Sequence, residues 1–340
     1  METMRVSVLR GVHDVTVEER PIPTPAADEV LVRIGSVGVC GSDMHYYEHG
    51  RIGSFVLDSP LVLGHEAGGV VTEVGSAVTS LSEGQRVSIE PGVPCRRCRQ
   101  CLLGRYNLCP EVKFFATPPY DGAFCEYVAM PADFVYAVPD HVSDDAAGLV
   151  EPLSVGVWAA RRSRVAPEDS VLVTGAGPIG LASAMAARAY GASSVTVADI
   201  NPHRLEVARA IGFDVVDVSQ TSVVDAEVHA DVLLECSGNG RATWDAVHAV
   251  NRAGRVALVG MGGDEVSLPL PRIQDRELTL TGAFRYANTW PTAIELVSSG
   301  KVDLDVLVTG HFGLSEVEAA LTAPGQDPQA VKVMVRPGQE

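Results

Sequence analysis

Lysine and arginine are scarce: 26 of them stand against 43 Asp and Glu in 340 residues, for a formal net charge of -17. A nucleic-acid surface needs clustered positive charge, so polyanion binding is excluded as a function class. No apolar run reaches the ~20 residues of a membrane span. The opening Met-Glu-Thr-Met-Arg-Val has no basic stretch leading into an apolar one, so no secretory signal is expected. An even set of spaced cysteines is also missing. There are seven, and four crowd between Cys95 and Cys109, which suits metal ligation in a reducing cytoplasm better than a disulfide scaffold. Internal repeats and low-complexity tracts are absent. What is present is a hydrophobic fraction of 46% and a mean hydropathy of +0.14. A chain of this length then folds as a packed protein with room for two domains.

The N-terminal part, to about Val138, carries short apolar alternations broken by Gly and Pro, at Arg5 to Leu9, Glu29 to Ile34, Gly69 to Val74 and Arg86 to Ile89. These read as a β-rich domain. Ala146 to Ala160 reads as a helix interrupted by Pro152. From Ser170 the pattern changes. Strands at Val171 to Val173, Ser194 to Ala198, Val232 to Glu235, Arg255 to Val259 and Leu278 to Thr281 alternate with helices at Leu181 to Tyr190 and Pro202 to Ile211. That alternation predicts an α/β class with a doubly wound parallel sheet. Beyond Phe284 the spacing predicts a helix over Trp290 to Ser298 and a strand over Val331 to Val335.

Gly175-Ala176-Gly177-Pro178-Ile179-Gly180 follows the first of these strands and opens a helix. In that context a G-x-G-x-x-G lets the backbone approach a pyrophosphate at the helix's positive end. Asp199 ends the second strand, nineteen residues on. A carboxylate there accepts from both adenosine ribose hydroxyls and repels a 2′-phosphate, so NAD is expected over NADP, with Arg204 the one nearby group that would tolerate phosphate. Val259, Gly260, Met261, Ala283, Phe284 and Arg285 complete the expected cofactor contacts.

Cys95-x2-Cys98-x2-Cys101-x7-Cys109 offers four thiolates within fifteen residues. They can close a tetrahedron around Zn2+, leaving no open position, so the site would be structural. The long last interval and the lack of a second cysteine set argue against an iron–sulfur cluster. A more dispersed set comprises Cys40, His65-Glu66 and Glu151, the last inside an apolar stretch. Each alone has a bland alternative as a core or solvated residue. Gly69 stands where a metalloprotease helix would place a second His, so that motif fails.

The chain resembles the zinc-containing medium-chain dehydrogenases, and within them the polyol (sorbitol and xylitol) branch. The resemblance rests on Cys40-Gly41-Ser42-Asp43-Met44-His45-Tyr46, Gly64-His65-Glu66-Ala67-Gly68-Gly69, Gly104-Arg105-Tyr106-Asn107-Leu108, Ala116-Thr117-Pro118-Pro119, Glu151-Pro152-Leu153-Ser154-Val155-Gly156 and Phe284-Arg285-Tyr286-Ala287-Asn288-Thr289-Trp290-Pro291. It implies a GroES-like catalytic domain from residues 1–153 and 284–340, and a Rossmann NAD-binding domain from 154–283. It further implies a catalytic zinc held by Cys40, His65, Glu66 and, directly or through water, Glu151. A structural zinc in the cysteine lobe and a homotetramer follow as well.

Zinc lowers the pKa of a ligated water to about 7 and should acidify a hydroxyl similarly. Ser42 and His45 stand where related enzymes relay the proton to solvent, and Asp43 is a candidate acceptor for His65. Tyr46, Phe114, Thr117, Glu151, Arg285 and Tyr286 are the implied polyol contacts. The expected partner is therefore a small polyol, with neither nucleic acid nor membrane. A dehydrogenase for threonine or a simple alcohol, a non-catalytic NAD- and zinc-binding protein, and a lobe serving subunit contacts are the competing readings.

Overall fold

In the N-terminal part the apolar alternations become strands, Arg5 to Leu9 in a three-stranded sheet and the other three in a seven-stranded one. The computed structural model describes residues 2–263 and 265–339. Along the strand Glu29–Gly38, residues Val30, Val32, Ile34 and Val37 are at most 2% exposed, because that strand has neighbours on both sides. The sheet runs Val135–Ala137, Arg86–Ile89, Glu66–Val74, Glu29–Gly38, Lys332–Val335 and Val308–Phe312, with Tyr127–Pro131 also on the central strand. Gly38 faces Glu66 across one edge of the central strand and Met334 across the other. The C-terminal strand thus rejoins the N-terminal sheet.

Helix Asp144–Arg162 runs straight through Pro152, where the sequence pattern predicts an interruption. A proline inside a helix costs about 3 kcal/mol. Here Leu149, Val150, Leu153 and Val157 are at most 1% exposed, and their burial outweighs that cost. The ends are well formed too. Ser143 Oγ accepts from the Ala146 N–H (2.9 Å), and acids in the first turn with Arg161 and Arg162 in the last suit the helix dipole.

The chain divides into two units, Met1–Glu151 with Val297–Glu340, and Pro152–Leu296. The second crossing falls at Leu296/Val297 instead of the expected 283/284. The reason is local: Arg161 donates to Asn288 O and Thr292 Oγ1, both at 2.7 Å, which ties the segment 284–296 to the second unit.

That second unit holds six parallel strands in the order Asp214–Asp217, Ser194–Asp199, Ser170–Thr174, Ala230–Glu235, Val250–Leu258, Thr279–Gly282. This is the dinucleotide-binding order, and the expected α/β class is correct. Helix Pro178–Ala189 begins three residues earlier than Leu181, because Pro178 is preset for the first helical position. Its buried run Gly180 to Ala187 is mostly glycine and alanine, which lets it pack close to the sheet. No helix among the described residues is long and apolar enough to cross a membrane.

Candidate active site

Cys40 caps the helix Gly41–His49, and Glu66 opens the strand that pairs with Glu29–Gly38, so strand register carries three polar side chains to one place. One ligand atom each from Cys40, His65 and Glu66 lies within 4.8 Å of the others. Asp43, fully buried, binds the two segments together. Its carboxylate accepts from Cys40 N–H at 2.9 Å and from Gly64 N–H at 3.0 Å. It stands 3.8 Å from His65 Nδ1, too long for a direct hydrogen bond but close enough to orient the ring electrostatically. Gly64 has φ +85°, and a Cβ there would lie 2.6 Å from the Phe124 ring, so the turn before His65 demands glycine.

Negative charge gathers around the His65 ring. Burial opposes charge on His65, yet the Cys40 sulfur and Asp43 lift its pKa well above the usual imidazole value. A sulfur, a ring nitrogen and a carboxylate held together in this way fit a zinc ion with an open position for substrate. Glu151 is 5% exposed. It lies outside that close set of three but is near enough to raise the pKa of both Glu90 and Lys332.

The first unit also supplies the expected relay and wall residues. Ser42 is half-buried, His45 is exposed with its ring 5.6 Å from that of His49, and Tyr46 is buried on the same helix. The Phe114 ring centroid is 5.7 Å from that of His65, which makes it a wall of this pocket. Thr117 is half-buried in the turn that follows.

Two residues escaped the sequence reading. Lys332, 2% exposed, places Nζ 2.7 Å from Glu66 Oε1, 2.5 Å from Oε2 and 2.7 Å from Val39 O. Burial works against its charge, but Glu66, with Cys40 and Glu151, holds the ammonium above the usual lysine range. The available signal was a lysine inside the apolar run Ala330 to Val335. Glu90, 1% exposed, accepts from Tyr106 OH (2.8 Å) and Tyr136 OH (3.1 Å). It joins the cysteine lobe to the sheet, and burial pushes its pKa up to about 7.

In that lobe the four sulfurs of Cys95, Cys98, Cys101 and Cys109 also lie within 4.8 Å of one another, and all are free thiols. Backbone N–H groups point at them, from Cys95 to Cys109 Sγ at 3.3 Å and from Cys98 to Cys95 Sγ at 3.4 Å. The Arg97 N–H draws Cys95 down to about 7, while burial and neighbouring sulfurs push Cys101 up to about 12. Four thiolates this close repel one another unless a cation sits among them, so the donor set fits Zn2+.

The second unit carries the residues expected to contact the dinucleotide. Gly175 has φ +85°, and a Cβ on Gly180 would lie 1.7 Å from Gly175 O, so the first and last glycines of the motif are sterically required. Gly177 caps the helix opened by Pro178 and Ile179, with Arg204 at its open face. Asp199, 9% exposed, accepts from Ala176 N–H at 2.5 Å and Asn201 N–H at 2.7 Å. Val259 and Gly260 both donate to Glu235 O (2.8 and 2.9 Å), Gly260 packs on Gly238, and Met261 is exposed. Ala283 N–H bonds to Leu258 O (2.9 Å). Phe284 is exposed, with the Arg285 guanidinium 5.0 Å from its ring centroid. Arg285 itself has φ +50°. Tyr286 is buried edge-on against Trp290, ring centroids 4.9 Å apart. Arg161 holds this segment, a third role that no local motif announced.

Comparison with known proteins bears on both units. Residues 26–140 match the alcohol dehydrogenase GroES-like domain, and residues 178–299 match the zinc-binding dehydrogenase family. The chain is 42% identical to sorbitol dehydrogenase of Bacillus subtilis, over 99% of this chain and 98% of that protein. It is 43% identical to the "Probable D-xylulose reductase A" of Aspergillus clavatus, over 92% and 91%. Among solved structures, an Escherichia coli oxidoreductase/dehydrogenase of unknown specificity superposes with a TM-score of 0.94 at 34% identity, covering 98% and 99% of the two chains. Identity of this extent, with the cysteine tetrad, the Cys40–His65–Glu66 pocket and the glycine turn in place, means that the chain belongs to the polyol-dehydrogenase branch of the zinc-containing medium-chain dehydrogenases.

Proposed function

We propose that this protein oxidises a secondary hydroxyl of a polyol such as sorbitol or xylitol to a ketose, with NAD as hydride acceptor and two zinc ions per chain. The observation that carries the reading is the close set of Cys40, His65 and Glu66 beside the Phe114 ring. In this reading those three residues hold the catalytic zinc, with Glu151 acting directly or through a water. The four lobe cysteines hold a structural one. When bound, zinc would supply a Lewis acid that eases loss of the hydroxyl proton, and the dinucleotide would supply the hydride acceptor.

The protein's own groups do the rest. Ser42 relays the proton, accepting one as its own hydroxyl proton passes to the exposed His45, which releases a proton to solvent. Asp43 keeps His65 in the ring orientation that presents a nitrogen to the metal. Tyr46, Phe114, Thr117, Arg285 and Tyr286 contact the polyol chain. Gly175, Gly177 and Gly180 let the backbone approach the pyrophosphate, while Val259, Gly260, Met261, Ala283, Phe284 and Arg285 line the remainder of the cofactor. The choice of NAD rests on Asp199, whose buried carboxylate would repel a 2′-phosphate, with Arg204 the opposing charge. A homotetramer and a cytoplasmic location belong to the same reading.

The test is kcat/KM for xylitol, sorbitol, threonine and ethanol with each dinucleotide. A polyol with NAD should be preferred by at least about 100-fold. A preference for threonine or ethanol would move the substrate assignment, and a preference for NADP would overturn the role of Asp199.

A further inference from the structure

Lysine is almost never fully buried unless paired, and Lys332 is buried inside a metal pocket. Its ammonium donates to Glu66 Oε1 and to the carbonyl of Val39, both at 2.7 Å, while Glu66 Oε2 lies 2.5 Å away as an ion-pair contact that accepts no hydrogen bond. The pair has a built seat. A Cβ on Gly38 would lie 2.0 Å from Glu66 Oε2 and 2.9 Å from Lys332 Cε, so glycine at this register position leaves the space that both side chains fill. Yet the same carboxylate offers an oxygen within 4.8 Å of the Cys40 sulfur and a His65 nitrogen. One carboxylate therefore faces two cation positions. An uncompensated buried carboxylate is strongly destabilising, and some positive charge has to stay near Glu66 whether or not a metal is bound.

We propose that Lys332 is the built-in counter-ion of this pocket: it balances Glu66 when no metal is bound and competes with the metal for that carboxylate when one is. The inference rests on the reading of Cys40, His65 and Glu66 as a metal pocket and adds a positioning residue to it. Lys332 thereby keeps the metal-free fold intact and lowers the metal affinity of the site.

The test compares wild type with Lys332→Met and Lys332→Arg, keeping zinc in the cysteine lobe and titrating cobalt(II) into the pocket against a competing chelator. Cobalt–thiolate absorption reports occupancy through Cys40. Lys332→Met should bind cobalt about tenfold more tightly. It should also lower Tm of the cobalt-free form more than that of the loaded form, widening the gap between them. Lys332→Arg should stay within about twofold of wild type. Simple structural damage would weaken cobalt binding, so a gain in affinity separates the two explanations. If Lys332→Met does not fold, Lys332→Gln removes the same charge while keeping a hydrogen-bonding side chain, and the same two readouts apply. Unchanged or weaker cobalt binding with an unchanged Tm gap overturns the proposal. Wild type without a cobalt–thiolate band would instead overturn the metal-pocket reading itself, and the inference with it.

Discussion

Glu151 carries more of the functional assignment than its surroundings alone would suggest. A buried carboxylate on an apolar helix needs a purpose, because its desolvation is expensive unless a cation or donors face it. With the Glu151→Ala change, kcat/KM for polyols is expected to fall on the order of 10²–10³-fold while the lobe zinc is retained. Turnover near the wild-type level would refute its role. The burial of Glu151 was legible in the sequence because a charge interrupting an apolar stretch is a local signal. Lys332 sent the same local signal but was read only as a member of a strand. Its partner Glu66 lies 266 positions away, and no periodicity reports such a pairing. Glu90 was hidden for the same reason, since its partners Tyr106 and Tyr136 sit on a short 3-10 helix and a separate strand.

At the scale of elements, boundaries were readable where capping chemistry is written locally. Asn201 accepts from the His203 and Arg204 N–H groups, and Pro202 starts the helix that the pattern places at Pro202 to Ile211. Strand Val308–Phe312 was not read, because its inner face carries only Val308 and Phe312 around Gly310, too sparse an alternation to stand out. One junction joins several such elements. Asp145, at the start of helix Asp144–Arg162, accepts from Ser36 Oγ (2.6 Å), His311 Nε2 (2.7 Å) and Arg336 (2.7 Å). Burial opposes its charge, but Arg336, His311 and Ser36 hold its pKa below the ordinary value of 3.8. A depressed folded pKa contributes stability above the unfolded value, and that contribution is lost as pH falls through the folded one. Asp145→Asn should therefore cost about 2 kcal/mol at pH 7. The difference should shrink below pH 3.8 in urea unfolding; a penalty independent of pH would refute the ionic account.

For the whole molecule, the two units differ in how openly the sequence declares them. Five of the six strands of the nucleotide unit were readable in order, because most lie beside the next strand in the chain; the edge strand Asp214–Asp217, short and with aspartates at both ends, was not. The sheet of the first unit was not, because it is completed by strands from the far end of the chain. Metal content is the corresponding measurement. Purified protein should hold two zinc ions per chain, and Cys98→Ser should hold one, with a lower Tm but the Cys40 pocket still loaded. One zinc in the unaltered protein would remove the structural-site assignment.

The late return of strand Lys332–Val335 also sets an order of events during synthesis. The four lobe sulfurs emerge together and need only close a short loop, which carries little entropic penalty. By contrast, Lys332 reaches Val39 across 293 residues. Until then the Gly38 end of the central strand is an unpaired edge, the kind of surface that attracts another chain. Ribosome-stalled chains ending before Val331 should thus be cleaved by protease within the N-terminal sheet while the lobe stays protected. In the cell, that exposed edge is what a chaperone would have to cover.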